Sequence, residues 1–199
     1  MTRFVLRTLA FLPLAFAVWY FAAPILLWPA VLIVRAVAHV GFADLVRAVE
    51  QSGATATFVT TFGAGVAAAK GLVAVDVNLR AYAFGMPLFV ALTLAARTAR
   101  WKRWLAIGYA ALMLVAAFGA LADFLKNVAI TAGPVIASQT GFAPWQREAI
   151  AFAFQFGSLI LPAVTPAVLW VGMHGRFVAA WGQRRVFAKP DVGSETTFR

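Results

Sequence analysis

The sequence predicts a mainly α-helical membrane protein: a four-helix transmembrane bundle with a small extracytoplasmic subdomain made of one helix and a β-hairpin. Three observations carry that prediction. Of the 199 residues, 63% are hydrophobic and only 12% are charged, with a mean hydropathy of +0.85, which is more apolar surface than a soluble domain of this length can cover. Apolar runs recur near the length of roughly 20 helical residues that crosses a hydrocarbon core. Between the first and second runs the pattern changes to the period-2 alternation of a half-buried strand: Val73, Val75, Val77 and Leu79 face one way, and Ala74, Asp76, Asn78 and Arg80 the other.

The first run, residues 9–34, reads as span one. Its leader MTRFVLR and the triplet Phe21-Ala22-Ala23 resemble a secretory signal with its cleavage site, but Pro24 would follow the cut directly and the apolar run continues. An uncleaved signal-anchor is expected. Pro13, Pro24 and Pro29 each remove a backbone donor, which predicts a kink or break near 24–29. Trp19, Tyr20 and Trp28 suit the outer interface. In 35–51 the apolar residues Val37, Val40, Leu45, Val46 and Val49 alternate with His39, Asp44, Arg47 and Glu50 at helical spacing, predicting an amphipathic helix ended by Ser52-Gly53. Residues 55–62 and 72–80 read as the strands of an antiparallel hairpin joined by a flexible connection, GAGVAAAKG.

Span two is expected at 82–96, where Gly85 and Pro87 are tolerated because neighbouring helices satisfy the backbone. RTARWKRW then forms a tight basic turn. Span three, 105–121, places the small residues Gly108, Ala111 and Gly119 where helices approach closely, and Asp123 and Lys126 are spaced to pair at its end. Gly133-Pro134 and Gly141 predict a turn-rich loop over 127–142. Pro144 suits the first turn of span four, 149–173, with Trp145 at the interface and Glu148 near the helix N-terminus. The chain thus divides into a signal-anchor span (1–34), an extracytoplasmic helix and hairpin (35–80), three further spans (81–173) with an outer loop at 122–147, and a basic cytoplasmic tail (174–199), disordered after Pro190.

Charge orients this arrangement. The chain carries a net +10. Eleven basic and two acidic residues fall in the proposed inner segments, a balance of +9, while six basic and five acidic residues fall outside, a balance of +1. Both termini are therefore expected in the cytoplasm. Membrane lipids are the partner this charge implies first; the turn 97–103 and Arg184, Arg185 and Lys189 can meet anionic headgroups, although topology alone accounts for them. No nucleic-acid signature, phosphate-cradling glycine loop or pair of catalytic carboxylates occurs.

Cysteine is absent, so disulfides, thiolate metal sites and a cysteine nucleophile are excluded. The two histidines, His39 and His174, are expected on opposite faces of the membrane and share no metal. A hydrolytic site would need His39 to meet Ser52 or Ser138, and no local motif selects them. We therefore expect no enzyme, cofactor or metal. Gln155, Ser158 and Thr165 in span four support an alternative, a small transporter or channel subunit, but Gln155 is first a candidate for a structural interhelical hydrogen bond.

Two stretches carry a family resemblance. VNLRAYAFGMPLFVALTLA contains Asn78, Tyr82, Gly85 and Pro87, and FQFGSLILPAVTPAVLWVGMHGRF contains Gln155, Gly157, Pro162, Pro166 and Trp170. In this order they resemble the small exosortase H-associated membrane proteins of bacteria, whose pattern has a proline after the asparagine where this chain has Leu79. The resemblance implies a bacterial inner-membrane accessory of unknown function in detail, partnered with an exosortase-type protease in protein sorting or with its tailed substrate. It also implies that these nine residues form a partner-binding or structural motif. An exosortase itself is excluded by the missing cysteine.

Overall fold

The computed structural model describes residues 2–63 and 72–175. The expected flexible connection beyond Gly63 and most of the basic tail lie outside the described residues. Helix α1 (Thr2–Leu26) runs into α2 (Trp28–Gly41) through a break at Leu27. Pro29 accounts for it: the residue offers no N–H, and its ring crowds the carbonyl four residues earlier. The carbonyls at this joint find partners elsewhere. Tyr109 donates its hydroxyl to Leu26 O at 2.7 Å, and Gln51 Nε2 donates to Pro24 O at 2.8 Å. The expected break is thus the joint at which bundle and sheet are tied together.

The amphipathic helix expected over 35–51 is divided by the structure. Its first part is the end of α2, and Val46–Ser52 is strand β1. Val46 and Val49 are three residues apart, as on a helix face, yet both are buried on one face of a strand. A bulge between Val46 and Ala48 supplies the extra residue and so imitates helical spacing. Gly53, at φ 61°, opens the two-residue turn that joins Ser52 to Thr55, so the residues read as a helix terminator are a hairpin turn.

Strand β2 (Thr55–Gly63) pairs antiparallel with β1 on one side and β3 (Leu72–Asn78) on the other, giving the order β1-β2-β3. Two strands alone are marginal in water; a third strand and a covered face remove that weakness. The covered face holds Ala56, Phe58 and Val77, all fully buried, and the Phe58 ring stacks on Phe124 with centroids 4.3 Å apart.

Phe124 belongs to α5 (Trp101–Lys126), the central helix. Before it come the short α3 (Arg80–Ala83) and α4 (Met86–Ala96); after it a π-helical turn, Asn127–Thr131, and α6 (Pro134–Gln139) occupy the stretch expected as a turn-rich loop. A second π-helical turn, Phe156–Ile160, joins α7 (Pro144–Gln155) to α8 (Leu161–Met173). α1 packs along α4, α2 along α5 and β1, and α5 also against α7 and α8.

Three helical stretches, 3–41, 101–131 and 144–173, are long and apolar enough to cross a membrane. The second span, expected at 82–96, falls in a shorter apolar stretch, 80–96, that is divided, because Phe84 and Gly85 separate α3 from α4. Among the described residues the structure therefore offers three full-length candidates and one short apolar stretch rather than four equal spans.

At the end of α4, Arg97 holds a left-handed conformation with φ 48°. This is the place usually taken by glycine, since any Cβ there costs about 1–2 kcal/mol. Arg97→Gly is expected to raise the thermal midpoint of the purified protein, with a gain of about 1 kcal/mol. An unchanged or lower midpoint would show that the guanidinium offsets the strained backbone.

Candidate partner-binding surface

The residues of the two sequence motifs meet in space. Gly85, between α3 and α4, lies against the Pro162 carbonyl and the Pro166 ring of α8, in space that a Cβ would occupy. Tyr82, on α3, is buried with its ring over Gly119 of α5. On the other side of Gly119 is the π turn: a Cβ placed on Gly157 would lie 3.2 Å from the Gly119 Cα. One level along, Phe89 of α4 fills the space beside Gly108. Small residues at these positions let α3 and α4 approach α5 and α8 more closely than side chains would allow. Tyr82, Gly85, Gly157, Pro162 and Pro166 thus form one packed joint.

Pro87 begins α4 and is buried, its missing N–H falling where a helix needs none. Asn78 has a different task. It is exposed, and its Oδ1 accepts the Arg80 N–H at 3.1 Å, turning the chain from β3 into α3. Arg80 then extends over the Tyr20 ring, 4.8 Å from its centroid, and donates from Nη2 to Tyr20 O. Trp170 is at the opposite end of the bundle, stacked on the buried His174 with centroids 5.2 Å apart and tilted by 33° against Phe4 at 5.6 Å.

Beside the joint, Asp123 is the centre of a small polar cluster. Its carboxylate pairs with Lys126 Nζ at 3.0 Å, accepts Asn127 Nδ2 at 3.0 Å and interacts with the Tyr82 hydroxyl. Lys126 also lies 4.0 Å from the Phe154 ring centroid. The expected Asp123–Lys126 pair is formed, and its partners tie α3, α5 and α7 together at the sheet end. The Asp123 carboxylate is thus hydrogen-bonded and ion-paired, as buried polar groups are in folded proteins.

Gln155 does not make the expected interhelical hydrogen bond. It is exposed, and it bonds to nothing among the described residues. The π turn that begins at the next residue accounts for this, because it rotates the helix face so that Gly157, not Gln155, meets α5. Ser158 donates to Phe154 O at 2.7 Å within its own helix. Neither residue, nor Thr165, lines the two larger cavities. His39 is exposed near the end of α2, and among the described residues no three metal-ligating side chains come together.

The remaining feature is the sheet edge. β3 has β2 on one side and no strand on the other among the described residues. The Leu79 N–H donates to Ala54 O at 3.0 Å, which makes Val77, Val75 and Val73 the residues whose backbone groups face β2. The backbone groups of Ala74, Asp76 and Asn78 consequently point away from the sheet, and all three residues are exposed. The opposite edge is partly covered, since Arg35 Nε donates to Val49 O at 2.8 Å. Among the described residues one edge is therefore available for pairing, and it leads straight into the short apolar helices α3 and α4.

Residues 1–177 match the family model described as exosortase H-associated membrane protein. No curated protein and no solved structure matches the chain.

Proposed function

Because the chain belongs to the exosortase H-associated membrane protein family, we propose that it is a non-catalytic accessory that holds exosortase H or its tailed substrate by strand addition at β3. The observation that carries this reading is the open edge formed by Ala74, Asp76 and Asn78. Backbone pairing at such an edge binds extended peptide with little demand on its sequence, and alternate side chains then select. In this reading the chain is a four-span protein of the bacterial inner membrane, with 80–96 as its short second span. The charge balance of +9 against +1 supports cytoplasmic termini, with the sheet outside.

Ala74→Pro tests the edge. The substitution removes an outward N–H and leaves the bonds to β2 intact, as prolines on natural edge strands do. Co-purification of exosortase H, or of its tailed substrate, from cross-linked native membranes is expected to fall about tenfold, the cost of one lost backbone bond and a blocking ring. Ala74→Val, which keeps the N–H, is expected to retain the partner. Full recovery of the partner by a folded Ala74→Pro protein would sink the proposal.

A further inference from the structure

A groove of about 590 Å³ runs between α1, α4 and α5, with Phe11, Val18, Val90, Leu94, Leu105 and Tyr109 among its walls. Its lining is almost wholly apolar, and the one hydroxyl, that of Tyr109, is committed to Leu26 O. Helical spacing extends two of its walls toward the basic end of the bundle. Arg7 precedes Phe11 by four residues on α1, and Lys102 precedes Leu105 by three and Tyr109 by seven on α5. Each cation therefore continues the groove-lining face of its helix, one turn beyond the apolar part.

Among the described residues neither cation has a carboxylate to meet. No acidic residue occurs in positions 1–43 or 77–122, and the one ion pair among the described residues is that of Asp123 and Lys126, at the other end of α5. Among the described residues Lys102 has the Trp101 ring beside it, its Nζ 5.6 Å from the centroid. Excess positive charge at one end of a bundle can be explained by topology alone. That explanation does not require the charges to continue the two faces that line an apolar groove.

We propose that the groove is a binding site for one anionic glycerophospholipid, with an acyl chain between α1, α4 and α5 and the headgroup phosphate between Arg7 and Lys102. A groove open to the bilayer is filled by lipid chains, and two cations at its mouth with no acidic partner among the described residues select an anionic headgroup over a zwitterionic one. The site is independent of partner binding at β3, so the two proposals stand or fall separately.

The full-length protein, equilibrated with equal phosphatidylglycerol and phosphatidylcholine in mild detergent, is examined by native mass spectrometry. The wild type is expected to retain one phosphatidylglycerol about tenfold in preference to phosphatidylcholine. The double variant Arg7→Gln/Lys102→Gln is expected to lose the preference while still retaining lipid. Val90→Trp, which fills the groove and keeps both charges, is expected to lose retention of both. Wild-type protein is also labelled with a phosphatidylglycerol carrying a photoreactive acyl chain, so that the outcome does not depend on any variant folding. Labelling is expected on peptides of α1, α4 and α5. Equal retention of the two lipids by the wild type, an undiminished preference in the double variant, or label spread evenly over all helices would overturn the proposal.

Discussion

Gly85→Ala is expected to destabilise the folded protein by about 3 kcal/mol, the upper part of the range for overpacking a filled interior. The added methyl would need the space held by the Pro162 carbonyl and the Pro166 ring. Neither is the far end of a flexible side chain. Accommodation therefore requires α4 to move away from α8, loosening the contacts of Tyr82 with Gly119 at the same level. Gly172→Ala is the matched control, since nothing lies within 4 Å of the methyl it would add to α8. That variant is expected to be neutral or slightly more stable, by up to about 1 kcal/mol, from helix propensity alone. Reversible unfolding in mixed micelles separates the two, and equal stability of the pair would refute the joint as described.

Phe58→Ala is expected to cost about 4 kcal/mol, within the range for removing a fully buried aromatic side chain. Its ring and that of Phe124 are both 0% exposed and nearly parallel, with 11° between their planes. The pair joins the middle strand to the central helix, so its loss frees the sheet from the bundle more than it disturbs the bundle itself. Limited proteolysis is expected to cut β1 and β2 sooner while the long helices remain intact. Phe124→Ala should behave alike, and the double variant should cost less than the sum, because both substitutions delete the same contact. Additive costs would show that the two rings contribute independently.

The helices were legible because a long apolar run has few alternatives, and the break at Leu27 was legible because proline acts through the backbone. Gly85, Gly157, Pro162 and Pro166 are recognisable as parts of two motifs, but nothing local in either stretch says that they meet. β1 was misread for a definite reason: its bulge places Val46 and Val49 at the spacing of a helix face. Gln155 was misjudged because a π turn shifts the face that follows it, and such a turn leaves no plain mark in the residue pattern. The Phe58–Phe124 stack and the Tyr109–Leu26 bond join distant residues, and pairings of that kind are decided by the assembled packing. The groove was hidden likewise; Arg7 and Lys102 look like ordinary topological charges until α1 and α5 are seen to line one groove.

The joint at Leu27 also sets an order of events during synthesis. Its carbonyl partner Tyr109 follows Leu26 by 83 residues. At 5–20 residues per second the ribosome takes roughly 4 to 17 s to produce that interval. Throughout it α1 is already made while the helix that secures its far end is not. Helix α1 therefore acquires the contact at its far end only after α5 has been made. In that interval β1 and β2 can close on each other, whereas the covered face of the sheet must wait for Phe124. A chain stalled before α5 would present both an unseated anchor and an open apolar sheet, and it is at that stage that assistance from the insertion machinery has the most to protect.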